Sequence, residues 1–492
     1  MRVEINPKPQ YELSSYLFMQ FMEPLGTTDP SVEAGWDFVH NCWRSELIET
    51  IKKLSPTLIR WGGIFSSYWN WREGIGPRSA RIPMVNLHWG GIESNQVGLH
   101  EFIDLCQEVG ADPLICVNFE SDGRPEYMHR ASTAEDAADL VRYCNDPHHP
   151  ERRANGVFAP WKIKLWQVGN ETSYPKVDRR FSSQENAEKF LKFAQAMKNV
   201  DPSIELIGWG DKEEMDGKWW AKDLLDIAGE YVDYVAIHMM MQKPQRSDTI
   251  LTGMKYMQDR DRAWAELLEI YAAVESKLVE LEEVLKSMGS NAKIAITEGH
   301  LSLQPHNTNF ILHEWLAGLY SAKVMNLYER HGNMVKIATL ADFFGNRWTV
   351  NAIMVGGPYQ QPYLMPVGVV MSLYRHHIGK QGIKAPARVG ELDLAASRTN
   401  GSIFLHVVNS DLSRSQKVEI VFPGLKVIEG KAFQIAPEDI ATYVDYERPD
   451  ALLIEEIEIN GGESISWTFP PKSVTAMEIK VKEVKNKKKL KK

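Results

Sequence analysis

Short runs of branched and aromatic residues recur along the first three quarters of the chain, each followed by a longer stretch whose apolar positions have helical spacing. Eight of them stand out: 16–23 (YLFMQFME), 58–61 (LIRW), 113–119 (PLICVNF), 163–168 (IKLWQV), 204–209 (IELIGW), 232–238 (VDYVAIH), 292–297 (AKIAIT) and 335–341 (VKIATLA). Near-continuous apolar character is what a strand covered on both faces requires. Between them the spacing predicts helices over 99–109, 184–200 and 261–287. Eight strands alternating with helices predict an α/β fold, a closed (β/α)8 TIM barrel rather than an open sheet.

After about Gly379 the helical period stops, and ELDLAAS, SIFLHVVN, KVEIVF, KAFQIA, LLIEEIEI, SISWTF and VTAMEIKV read as short strands. Asn460-Gly461-Gly462 and Pro470-Pro471 punctuate them as turns. These strands predict a C-terminal β-sandwich beside the barrel. The expected division is an N-terminal strand joining the sandwich (1–15), the barrel (16–379), the sandwich (380–482) and a basic tail (483–492). Such a barrel accounts for most of a 492-residue chain without a third domain.

Composition excludes several classes of function. With 43% hydrophobic and 25% charged residues the chain is globular, neither disordered nor fibrous. A formal charge of −9 argues against nucleic acid as the partner. The last 13 residues hold eight Lys and one Glu, so the body is more acidic still, and the tail reads as a solvated end. Cys42, Cys106, Cys116 and Cys144 have no metal-ligand spacing and are expected to be reduced core residues. Neither a leader nor an apolar run of about 18 residues is present, so a soluble cytoplasmic protein with no membrane partner is expected.

A barrel also predicts where chemistry belongs, because active sites form at the carboxyl ends of its strands. The polar residues there are Glu23, the stretch 60–63, Asn118 to Glu120, Asn170 and Glu171, Gly210 and Asp211, His238, Glu298 and Asp342. One such Glu taken alone is more often an Arg partner or a helix cap. Glu171 and Glu298, however, follow the fourth and seventh runs, which face each other across a barrel mouth. Two opposed carboxyl groups suit glycoside hydrolysis, with one protonating the leaving oxygen and the other attacking the anomeric carbon. Asn170 could bond the neighbouring sugar hydroxyl, and His238 could donate to the nucleophile or the substrate. Trp61, Trp69, Trp71 and Trp89 offer faces that stack on sugars or fill a core. The chemistry needs no metal or organic cofactor, and the pairs His148-His149 and His376-His377 read as surface or packing residues.

The order of these motifs resembles the retaining α-L-arabinofuranosidases of glycoside hydrolase family 51 over nearly the whole chain. FMEPLG at 21–26 resembles the first-strand motif and nominates Glu23 as a substrate contact. LIRWGG through YWNWREGIGPR to LICVN is similar to the second and third βα units, with Trp89 in the matching aromatic position. KLWQVGNE implies Glu171 as acid/base and Asn170 as its substrate-binding neighbour. VDYVAIH places His238, IAITEG places Glu298 as nucleophile, and GGPYQQPYLMP brings Gln361 to the pocket. The resemblance also implies an arabinose-containing oligosaccharide or related furanoside as substrate, and assembly as a homo-oligomer such as a hexamer.

Three departures concern the pocket. The family's Asp-Glu-Trp-Asn is here Thr297-Glu298-Gly299-His300, its Asn after strand two is Ile64, and Met239, Met240 and Met241 stand where a Tyr is usual. Losing hydroxyl-bonding groups changes substrate choice more than it changes the reaction. The expected function is therefore a retaining exo-acting α-L-arabinofuranosidase. A glycosidase of the same barrel with another glycon, such as an endo-acting β-glycanase, and a non-catalytic carbohydrate-binding protein are the alternatives.

Overall fold

A computed structural model describes residues 1–119, 132–174, 181–213, 217–242, 244, 246–357 and 360–484. Glu120 and positions 485–492 of the basic tail lie outside the described residues. The barrel strands are β1 (Met19–Met22), β2 (Leu58–Trp61), β3 (Asp112–Val117), β4 (Leu165–Val168), β5 (Glu205–Trp209), β6 (Tyr234–Met241), β7 (Lys293–Leu301), β8 (Val335–Ala338) and β9 (Asp342–Gly345). Each pairs in parallel with the next from β1 to β8. Closure comes from a bent eighth strand, whose first part, β8, pairs with β7 while its second part, β9, pairs with β1 at Asp342 opposite Phe21. All residues of β1, β2 and β4 are buried, as expected of strands lined inside and covered by helices outside.

The helices at Leu99–Val109, Ser183–Val200 and Arg260–Ser287 lie where the spacing puts them; Glu101 accepts from the Gly98 amide at the start of the first, and Ser182 and Glu185 form a capping box on the second. Several boundaries differ from the sequence reading, three of them near the site. The run from position 16 begins with a 3₁₀ turn, Ser15–Phe18, where the Ser14 side chain accepts from the Tyr16 amide, and extended structure starts only at Met19. Conversely, β6 and β7 continue past His238 and Thr297, and Ile237 lies opposite Ile296 whereas His238 lies opposite Glu298. Thr297 is the extra residue of a β-bulge. Glu298 is thus inside its strand, and the bulge re-aims the side chains beyond it.

A long antiparallel sheet runs in the order Asn6–Glu12, Gln381–Lys384, Leu392–Thr399, Ser402–Asn409, Val474–Glu483, Leu425–Ile435 and Glu455–Gly462. A second sheet pairs Arg2–Glu4, Gln416–Val421 and Ile465–Phe469. Val3, Val418 and Ile465 of the small sheet meet Leu394, Leu405 and Ile479 of the large one in a single core, the layering of a sandwich. Asn460-Gly461-Gly462 is strand rather than turn, because a Cβ at Gly461 would lie 2.1 Å from the Ile428 carbonyl and glycine lets the backbones approach there.

The buried helix Trp315–Arg330 joins barrel and sandwich. Its Lys323, Asn326 and Arg330 side chains converge on Asp393, at 3.2, 2.8 and 2.7 Å, and Glu329 bonds His406 at 2.6 Å. Cys106, Cys116 and Cys144 are buried thiols, whereas Cys42 is exposed and not a core residue. No helix among the described residues is long and apolar enough to cross a membrane.

Candidate active site

Burial of a charged residue in an apolar strand makes the first contact. Arg60, third in LIRW, is fully enclosed in the barrel, where an unpaired guanidinium would be prohibitively costly. Its Nε donates to Gln167 (2.7 Å), Nη2 to Asn170 Oδ1 (2.5 Å) and Nη1 to Glu298 Oε1 (2.9 Å). One planar cation thereby fixes groups from β4, from the loop after it and from β7.

Glu171 stands two residues beyond Gly169 after β4, and both have left-handed backbones, with φ of 50° and 89°. Such a conformation in a non-glycine residue is held by its surroundings and is common at functional sites. The Glu171 carboxylate lies 2.9 Å from His238 Nδ1, while His238 Nε2 meets Thr297 Oγ1 at 3.1 Å. His238 Nδ1 is also 3.6 Å from Glu298 Oε2. Burial lowers the pKa of His238 to about 4, so the ring is neutral near pH 7. Asp211 accepts from the His238 amide at 3.0 Å, and Lys277 bonds both Asp211 (2.7 Å) and the His238 carbonyl (2.7 Å).

Glu23 follows β1, with Oε1 accepting from the Phe65 amide (3.0 Å) and Trp89 Nε1 (2.9 Å). Gly63, at φ 127°, makes room for it, since a Cβ there would lie 2.2 Å from the carboxyl. Burial, with Glu298 adding to it, raises the Glu23 carboxyl well above the ordinary range. Burial raises Glu298 also, against the opposing pull of His238 and Arg60.

These groups surround a cavity of about 370 Å³ at the barrel mouth. Glu23, Trp89, Glu171, His238 and Glu298 line it together. Asn170 is buried and tied to Arg60 but does not line the cavity. Gln361 is exposed and outside it, a correction to its assignment as a pocket residue. Trp61, Trp69 and Trp71 are core residues: the first two pack with Phe65 and Trp61 also with Phe102, and Trp71 packs on Tyr143. Ile64 and Met240 do face the cavity. Sequence reasoning missed Lys277, which reaches in from a helix that no strand-end rule covers. It named His300 only as a departure from the family motif and not as a site residue, although the two-residue period of β7 puts that side chain on the face of Glu298.

One ligand atom each from Glu171, His238 and Glu298 lies within 4.8 Å of the others, the spacing of a cation site. The Arg60 guanidinium already neutralises Glu298, which works against a divalent ion there. The same bound places an oxygen of each carboxylate within 4.8 Å of one of the other across the mouth.

Residues 50–261 match the family model "Alpha-L-arabinofuranosidase 1 domain". That part of the chain is similar to α-L-arabinofuranosidases. Over 203 residues, 40% of the chain, it is 36% identical to an intracellular exo-α-(1→5)-L-arabinofuranosidase of Acetivibrio thermocellus, covering 38% of that protein. Over 276 residues, 54% of the chain, it is 30% identical to the protein of the same description from Halalkalibacterium halodurans, covering 53% of it. The matched part thus spans about half or less of these curated relatives. A crystal structure of the α-L-arabinofuranosidase from Thermotoga maritima superimposes with a TM-score of 0.75 over 97% of this chain and 99% of that one, at 23% identity, a likeness of fold. Glu171 and Glu298 both reach the cavity, and Ile64, Met240 and His300 line it beside them.

Proposed function

We propose that the chain is a retaining exo-glycosidase, an α-L-arabinofuranosidase, that releases terminal furanosyl residues from oligosaccharides. The observation that carries this reading is the pair of carboxylates within 4.8 Å, because a retaining mechanism needs about 5–5.5 Å and an inverting one about 6.5–9.5 Å. Glu298 is the nucleophile. Its oxygen bonds to the anomeric carbon as the glycosidic C–O bond breaks, and the Arg60 contact favours its ionised form. Glu171 gives its proton to the leaving oxygen, then takes one from the water that cleaves the glycosyl-enzyme. His238, 2.9 Å from Glu171, orients that carboxyl, and Glu23 and Trp89 bind substrate.

The catalytic unit in this reading is residues 16–379, with 1–15 and 380–482 forming the companion sandwich. Pairing of Asn6–Glu12 with Gln381–Lys384 supports that division. The names of the relatives support a cytoplasmic place and an arabinofuranoside substrate. A homo-oligomer is proposed with them, and light scattering on the purified protein tests it. Hydrolysis of a panel of aryl furanosides and pyranosides, followed by NMR, tests the reaction. Furanoside cleavage with retention at the anomeric carbon is expected, and inversion would overturn the roles of both carboxylates.

A further inference from the structure

His300 and Asp342 form a second buried acid–base pair in the cavity, which the reaction described above does not use. His300 lies two residues beyond Glu298 on β7, on the same strand face and about 6.6 Å further along. Its Nδ1 is 2.6 Å from Asp342 Oδ1 of β9, and both side chains line the cavity. The ring is thus held at one nitrogen. Its Nε2 has no protein partner among the described residues. Asn307 lines the same cavity in a similar condition, with Oδ1 accepting from Ser302 Oγ at 2.8 Å and Nδ2 without a partner among the described residues.

We propose that His300, positioned by Asp342, binds a hydroxyl group of the sugar through Nε2 and thereby selects the glycon. This rests on the reading of the cavity as a glycosidase site. With Nδ1–H directed at the Asp342 carboxylate, Nε2 is a lone-pair acceptor for a hydroxyl proton, and the Asn307 amide supplies a donor in the same cavity. A hydroxyl group can use both. The facing chemistry explains the need, because Met240, directly opposite His300 in the β6–β7 register, and Ile64 are apolar and offer the sugar no hydrogen bond. His300, Asn307 and Asp342 supply polar groups on the β7–β9 side of the pocket. Glu23, Glu298 and Asp342 line the same space, so an acidic sugar would meet several carboxyl groups, and the glycon selected is neutral.

The two ring nitrogens can be separated by substitution, since an Asn side chain mimics Nδ1 and a Gln side chain mimics Nε2. The assay is kcat/KM on the best-cleaved aryl furanoside and on its monodeoxy analogues. His300→Asn is expected to lose roughly 10- to 100-fold on the parent glycoside and almost nothing on one analogue, the one lacking the bound hydroxyl. His300→Gln should stay within about threefold of the unaltered protein on all of them. Asp342→Asn, which loosens His300 without removing it, should give a smaller loss at the same hydroxyl. If His300→Asn behaves normally while His300→Gln fails, or if the loss is equal on every analogue, His300 is only structural and the proposal falls. Glu298→Ala measured in parallel separates the two levels: undiminished turnover there overturns the nucleophile, whereas the pattern across the His300 variants judges His300.

Discussion

In the proposed mechanism Glu298 must be ionised to attack, yet burial raises its pKa, so activity is expected to fall as pH drops through a value above the ordinary glutamate range. Arg60 opposes that rise at 2.9 Å. Arg60→Met should therefore shift the acid limb of the kcat/KM profile to higher pH, and Arg60→Lys, which keeps the charge but not the fork, should shift it less. An unmoved limb in Arg60→Met would show that another group sets it. His238, with its pKa lowered to about 4, stays neutral across that range and adds no limb of its own. Glu171→Ala should cost about 10²–10⁴-fold on substrates with poor leaving groups and much less on activated aryl glycosides. Added azide should restore turnover and give a glycosyl azide of retained configuration, seen by NMR. Glu171 and Glu298 were legible from their place after the fourth and seventh apolar runs. The three bonds of Arg60 were not, because a charge inside LIRW shows that a partner is required without showing which.

At the level of elements, the bulge at Thr297 and the close approach of the bent eighth strand decide how Glu298 is presented. A Cβ at Gly299 would stand 2.9 Å from the Thr339 carbonyl, between β8 and β9. The backbone there cannot give way as a side chain would. Gly299→Ala is expected to destabilise the fold by about 1–3 kcal/mol and to lower kcat by displacing the adjacent Glu298, the proposed nucleophile. Urea denaturation and steady-state kinetics check the two effects, and a variant of unaltered stability would show that the strands tolerate the shift. Strand existence was visible in the apolar runs, but the ends of β6 and β7 were not. Both continue past the apolar residues through polar ones, His238 and Glu298, that are buried only because the barrel mouth encloses them.

At the scale of the whole molecule, the Trp315–Arg330 helix holds the barrel to the sandwich through charges removed from water. Asp393→Ala leaves Lys323 and Arg330 without their common carboxylate, at 3.2 and 2.7 Å in the intact protein. Stripping a buried cation of its partner costs about 3–5 kcal/mol. A lower midpoint of thermal denaturation is expected, and an unchanged midpoint would mean that the apolar interface alone holds the two parts. What the sequence by itself determined is the kind of fold and the carboxylates at the strand ends, since both come from a hydrophobic period carried by neighbouring residues. Tertiary structure alone decided the Arg60 clamp, the reach of Lys277, the exclusion of Gln361 and the pairing of His300 with Asp342. Those depend on barrel closure, which brings residues far apart in the chain within hydrogen-bonding distance, and no local period encodes that meeting.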